Sequence, residues 1–343
     1  MLSLSHLQSI TDRILDADDT AYGKLYAACD ELYETLIKAS RIDPREEKNK
    51  ENQSLDSGAA LGITWAAMCI KDIMRTKRFM NGVYAAVRDI LLVHPEKTIH
   101  ILYAGTGPFA TLVLPLTARF SPEQIQLTLL EVNETSFNSL QNLVSILHLE
   151  KYIHRLEKAD ATKWKKPVND QIDIFIVEAM QQGLKSEPHV AICMNIVPQL
   201  RPDTIMIPQQ ITLTAALFNE PKRMQEKFES GSIISSIHIL DPVFILNKET
   251  ILSRAESDAQ RDVSDFTFQG KTIVIAADVV EDYPNLYLIT DVLIYKEDCL
   301  LLDESPLSMP LKLADLRKEL PTEIKFQYHI GSNPGIQFNM TML

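Results

Sequence analysis

The sequence predicts an α/β fold, a Rossmann-like doubly wound sheet with a helical N-terminal extension and a C-terminal β-barrel or sandwich domain. Three observations predict it. Apolar runs of strand length alternate with helix-spaced segments from about residue 99 to residue 209, the signature of βα units and a parallel sheet. One such run, IHILYAGTGPF at 99–109, breaks from a strand into the glycine turn Gly105-Thr106-Gly107, where a backbone without side chains lets a nucleotide-like ligand approach. Beyond residue 210, short β-rich runs follow one another between turn residues, as in a sandwich or barrel.

In chain order, residues 5–40 repeat apolar side chains at three and four and read as two amphipathic helices. RIDPREEKNKENQSLDS, 41–57, has almost nothing to bury and reads as a loop or linker. Residues 59–93 read as one or two helices leading into the core, with Arg75 and Arg78 among hydrophobics. Strand 99–104 precedes the glycine turn, and ATLVLPLTARF after it reads as a helix that Pro115 shortens or kinks. A second strand, 125–132, ends at Glu131, and SFNSLQNLVSILHL is helical. Third and fourth strands fit RLEKADATKW and QIDIFIVEAM. In such sheets a ligand lies across the C-terminal strand ends, so Gly105, Glu131, Asp160 and Glu178 are expected to converge on one crevice. The predicted β runs after 210 are interrupted by one acidic helical segment near 245–265. The expected domains are a helical extension and linker (1–57), the Rossmann-like domain (58–209) and the β-rich domain (210–343).

Bulk properties exclude several classes. A net charge of −12 argues against a nucleic-acid backbone or an anionic membrane as partner, since both are bound through excess Lys and Arg. Cys29, Cys69, Cys193 and Cys299 lie far apart, with no CxxC and no histidine at zinc spacing, so neither a metal site nor a disulfide framework is expected. No signal-peptide pattern and no run of 18 apolar residues occurs, and the expectation is a soluble, cytoplasmic protein.

Glu131 lies 24 residues past Gly107, where a second Rossmann strand places a carboxylate for ribose hydroxyls. Four segments together resemble the protein arginine methyltransferases, a branch of the class I S-adenosylmethionine-dependent methyltransferases. KDIMRTKRF, 71–79, resembles the family's KDxxRTxxY helix, which implies that Arg75 grips the cofactor's methionine carboxylate. YAGTGPF resembles the glycine motif in the GxGP form of the symmetric-dimethylating branch, implying cofactor contacts at Tyr103, Gly105, Thr106 and Gly107. Glu131 stands at the ribose-binding acid, and EAMQQGLKSE resembles the double-glutamate loop, with Glu178 and Glu187 nine residues apart. Asp160 is placed near the adenine, a role that a one-residue shift hands to Ala161 or Thr162.

The glutamate pair has a chemical reason. A guanidinium is a planar cation that stays protonated, so methylating it requires paired carboxylates to hold it and bring one nitrogen in line with a sulfonium methyl. The resemblance implies S-adenosylmethionine as cofactor, S-adenosylhomocysteine as product, a protein, peptide or small-molecule acceptor, and a homodimer. The sequence departs from the family at Phe109, where the third glycine of GxGxG stands, and lacks the Thr-His-Trp loop between 280 and 343. These departures keep two alternatives open: methylation of a small metabolite, and a non-catalytic protein that keeps the pocket. His189 and His329 are read as structural, Ser136 and Cys193 lack a paired base for covalent catalysis, and Trp65 and Trp164 are read as packing residues.

Overall fold

The computed structural model describes residues 3–229, 235–257, 265–318 and 323–341. The chain opens with α1 (Leu4–Leu15) and α2 (Tyr22–Ser40), whose apolar faces, Leu7, Ile10 and Ile14 on the first and Leu25, Leu32 and Leu36 on the second, are buried. The segment read as a linker instead ends in a small antiparallel hairpin of β1 (Gln53–Leu55) and β2 (Gly58–Ala60). Then come α3 (Ile63–Met68) and the long α4 (Ile73–Val93), capped by Asp72, whose carboxylate accepts from the Arg75 backbone N–H.

The central sheet contains β3 (Ile99–Ala104), β4 (Ile125–Glu131), β5 (Ile153–Lys158), β6 (Ile174–Val177) and β7 (Ile205–Ile207), all parallel, in the order β5-β4-β3-β6-β7. Its middle strands are buried on both faces, which is why they read as apolar runs. The strand order reverses beside β3, so the crevice beyond Ala104 and Val177 is where a parallel sheet opens for a ligand. Helices α5 (Glu134–Ile146) and α6 (His189–Ile196) flank the sheet.

One helix expectation is corrected. After the glycine turn the chain makes tight turns and a single 3₁₀ segment, Pro115–Ala118, not an α-helix. Ala110 has φ +43°, outside the right-handed helical region, and Pro115 has no N–H to donate. The bonds that form are mostly one residue shorter than helical ones, such as Val113 N–H to Ala110 O and Leu116 N–H to Val113 O. The β5–β6 connection likewise holds no α-helix.

The remainder is antiparallel. It comprises β8 (Gln210–Phe218), α7 (Glu220–Glu229), β9 (Ile237–Asn247), α8 (Lys248–Ser257), β10 (Phe266–Val274), α9 (Ala277–Asp282), β11 (Asn285–Tyr295), β12 (Asp298–Leu300), β13 (Leu311–Asp315), β14 (Glu323–Ile330) and β15 (Gly335–Thr341). One sheet runs β12-β11-β8-β9 with β13 also on β11; the other runs β10-β14-β15. Aromatic rings join them, Phe244 of β9 stacking on Tyr328 of β14 at 4.5 Å and meeting Phe268 of β10 edge-on at 5.4 Å. Among the described residues no strand pairing closes the two sheets into a barrel, so the sandwich alternative describes them. The acidic helical segment expected near 245–265 contains α8, and residues 258–264 of that stretch lie outside the described residues. Helix α7 has no counterpart in the sequence reading. Among the described residues no helix is long and apolar enough to cross a membrane.

Candidate functional site

A cavity of about 970 Å³, mouth included, lies at the C-terminal ends of β3, β4, β5 and β6. All ten residues singled out from the sequence line it: Arg75, Tyr103, Gly105, Thr106, Gly107, Glu131, Asp160, Ala161, Glu178 and Glu187. They arrive from α4, from β3 and its glycine turn, from the end of β4, from the turn after β5 and from the loop after β6, and the parallel sheet brings them together.

The turn after β3 is held by the Gly105 N–H, which donates to Leu130 O of the adjacent strand at 3.0 Å. Gly105 and Gly107 have φ of +74° and +62°, left-handed values that suit glycine. A Cβ on Gly105 would sit 3.3 Å from the Ala179 side chain, filling space at the cavity wall. Phe109 is buried in the hydrophobic core and does not line the cavity, so its bulk leaves the turn open.

Glu131 is 5% exposed, and burial pushes its carboxyl up to about 7, against hydrogen bonds from the Asn133, Gly107 and Val132 backbone and from Thr106. The Asn133 N–H donates to its Oε1 at 2.8 Å. Asp160 caps its own turn, accepting from the Thr162 N–H at 2.9 Å and from Thr162 Oγ1 at 2.7 Å.

Opposite, Arg75 of α4 forms an ion pair with Glu178 Oε2 through Nη2, both side chains nearly buried. Glu187 is 5% exposed. Burial, and then repulsion from Glu178, push its carboxyl up to about 8. Burial also raises Glu178, which the Arg75 charge counteracts. Glu178 Oε1 and Glu187 Oε1 are buried with no hydrogen-bond partner. Unpaired buried carboxylate oxygens are costly. Both residues line the same cavity.

The loop that carries this pair is braced from three sides. The Ala59 N–H of β2 donates to Ser186 O at 2.8 Å, and the Ser186 N–H donates to Pro334 O at 2.9 Å. Tyr328 Oη donates to Leu184 O at 2.7 Å, and Thr290 Oγ1 accepts from the Gly183 N–H at 2.9 Å. The antiparallel sheets thus shape a loop that belongs to the parallel one.

The sequence reading missed Leu55, Ala60 and Leu61, which the hairpin contributes to the wall, and Cys69, Thr76 and Ser136. Cys69 carried a signal, since it lies six residues before Arg75 in the same helical stretch. No residue of α1 or α2 lines the cavity. His189 is fully buried beside the loop and outside the cavity lining, and burial lowers it to about 3, which leaves it neutral. Trp164 is buried, as expected of a packing residue, whereas Trp65 is half exposed and donates to Lys50 O at 3.0 Å.

No model of a known protein family matches the sequence, and no curated protein matches it. Among solved structures, the chain is similar to one of the Trypanosoma brucei PRMT1 enzyme-prozyme heterotetrameric complex with AdoHcy. The identity is 14%, the TM-score 0.50, and the match covers 80% of this chain and 92% of that one. At that identity the likeness establishes the fold alone: a Rossmann-like parallel sheet followed by antiparallel sheets.

Proposed function

We propose that this protein is an S-adenosylmethionine-dependent N-methyltransferase whose acceptor is a guanidinium, as in arginine. The observation that carries this reading is the buried glutamate pair, each with one unpartnered oxygen on the wall of the cavity that also contains the glycine turn. The fold neighbour, a PRMT1 complex with AdoHcy, is consistent with it.

The cavity's donors and acceptors fit the cofactor. Its wall supplies a cation at one end in Arg75, a carboxylate for ribose hydroxyls in Glu131, and glycine backbone between them. Asp160 and Ala161 lie on the adenine side of this arrangement. When bound, the cofactor supplies an activated methyl group on a sulfonium. The chain's own residues do the rest. Arg75 has five N–H donors and spends one on Glu178, leaving others for a carboxylate. Glu178 and Glu187 hold the acceptor cation and fix which nitrogen faces the methyl group. With the cofactor bound, its sulfonium would supply the methyl group, and Glu187 would take up the proton that the acceptor nitrogen gives up.

The acidic surface, with net charge −12, suits a basic protein or peptide acceptor and disfavours nucleic acid and anionic membranes. The test is transfer of labelled methyl from S-adenosylmethionine to arginine-rich peptides and, in parallel, to a metabolite extract. Label on peptides supports the proposal. Label on small molecules alone assigns the site to a metabolite, and cofactor binding with no transfer to either assigns it to a non-catalytic protein.

A further inference from the structure

At the opposite end of the parallel sheet, away from the cavity, three side chains that the proposed function does not use come together. His100 is the second residue of β3, His154 the second residue of β5, and Asp170 lies in the loop before β6. One ring nitrogen from each histidine and one Asp170 oxygen lie within 4.8 Å of one another. They are separated by 54 and 16 residues in sequence, so no short spacing betrays them. We propose that His100, His154 and Asp170 bind one divalent transition-metal ion, of which zinc is the natural probe.

The geometry is close to what such an ion takes. With metal–nitrogen and metal–oxygen bonds of about 2.0 Å, tetrahedral ligand atoms stand roughly 3.3 Å apart. His154 Nε2 and Asp170 Oδ1 already stand 3.4 Å apart, a long hydrogen bond but a normal ligand edge. The His100 ring and His154, whose side chain is 39% exposed, must close the rest of the gap. The rings of His100 and His154 meet edge-on at 4.5 Å.

The surroundings also hold the ligands in place. Arg155 Nε donates to Asp170 Oδ2 at 3.0 Å, which fixes the carboxylate with Oδ1 turned to His154. Thr128 Oγ1 lies 2.8 Å from His100 Nε2 and orients that ring, the kind of support that metal-bound histidines receive. Asp173 nearby is already taken by Lys97 and Arg201, each at 2.7 Å. Burial and the neighbouring His154 lower His100 to about 4, so it is a neutral ligand at physiological pH. Asp170, although burial raises it, is kept below the usual carboxylate range by Arg155 and His154. Two imidazoles and one carboxylate leave a fourth position for water or another ligand. An ion here would tie β5 and the loop before β6 to β3, in the stretch of the sheet where no helix crosses over.

The experiment uses the full-length protein stripped with a chelator. Zn²⁺ is titrated by calorimetry and Co²⁺ by visible absorption, for the wild type, His154→Ala and Asp170→Asn, with melting temperature checked in each. The expected result is one Zn²⁺ per chain, a Co²⁺ spectrum of nitrogen and oxygen ligands, and a melting temperature that rises with Zn²⁺ in the wild type only. Each substitution is expected to weaken binding at least tenfold while leaving the metal-free melting temperature and S-adenosylhomocysteine binding near wild type. The proposal is overturned by no uptake at about a hundred micromolar Zn²⁺, by undiminished affinity in both variants, or by a sulfur-to-cobalt charge-transfer band that places the ion on cysteines.

Discussion

At the scale of single residues, the proposed function rests most on Glu187. Its carboxyl sits at about 8 in the free cavity, so at neutral pH it is mostly protonated. A guanidinium that binds it must expel that proton. Acceptor binding at pH 7 is therefore expected to release close to one proton, measured as the dependence of calorimetric heat on buffer ionisation enthalpy. Acceptor kcat/KM should rise with pH through about 8. Glu187→Gln keeps the shape and removes the charge. It is expected to lower methyl transfer by about 100-fold or more while S-adenosylhomocysteine affinity stays within a few-fold of wild type.

The same shift has a consequence for stability, and its sign follows from proton counting. Between its ordinary value of 4.5 and about 8, the folded protein keeps a Glu187 proton that the unfolded chain loses. Stability therefore falls as pH rises through that window, by up to about 1.4 kcal/mol per pH unit for this one group. Glu187→Gln should flatten that slope and melt at a higher temperature than wild type at pH 8.5. Thermal melts from pH 5 to pH 8.5 check this, and a variant with an unchanged slope would contradict the burial of Glu187.

At the scale of elements, the active loop depends on a hairpin that composition alone presented as linker. Gly58 of β2 has φ +130°, and a Cβ there would lie 2.8 Å from Ser186 O and 3.1 Å from the Glu187 carbonyl carbon. Those are backbone atoms and cannot yield as a side-chain tip would. Gly58→Ala should therefore displace Glu187 without touching it. The expected outcome is a fall in methyl transfer on the order of 100-fold, since displacements near 1 Å carry that cost, with cofactor affinity changed far less. Equal losses in both would show that the hairpin serves the cofactor end instead.

These elements also show what the sequence made legible. Strands β3 and β4 and the convergence of Gly105, Glu131, Asp160 and Glu178 were readable because buried parallel strands are continuous apolar runs and their C-terminal ends point one way, whereas Arg75, Tyr103 and Glu187 were reached through the family resemblance of their segments. The stretch after Gly107 was misread because its apolar spacing is helical and Pro115 accounts for no more than a kink in it, while the left-handed φ of Ala110 is a property of the backbone. Helix α7 was missed because it is mostly charged and buries no residue, so little apolar side chain marks it in the sequence. Leu55 and Ala60 were invisible as lining residues because only tertiary contact with the glutamate loop brings the hairpin there.

For the whole molecule, the N-terminal helices are part of the core. Leu7, Ile10 and Ile14 are at most 1% exposed, and Thr11 Oγ1 donates to Pro115 O at 3.3 Å. Lys77 of α4 is 2% exposed, and its ammonium donates to Ala17 O at 2.5 Å and to Ile14 O at 3.4 Å, with Asp19 at 3.5 Å. Removing residues 1–20 would leave that buried charge without these partners, a loss on the order of 3–5 kcal/mol. The truncated chain is expected to melt about 10 °C or more below the full one. Adding Lys77→Met to the truncation should recover part of that loss. A truncated chain that melts like the full one would show that α1 is dispensable to the fold.

The central claim is that the cavity brings a methyl donor and a guanidinium together, and one measurement addresses it most directly. Labelled S-adenosylmethionine is incubated with an arginine-rich peptide, with its lysine-substituted counterpart, and with wild-type or Glu187→Gln protein whose S-adenosylhomocysteine binding has been verified by calorimetry. The account requires label on the arginine peptide with the wild-type protein, little on the lysine peptide, and little on either with the variant. Cofactor binding without label on any arginine peptide, or label that Glu187→Gln leaves undiminished, would contradict it.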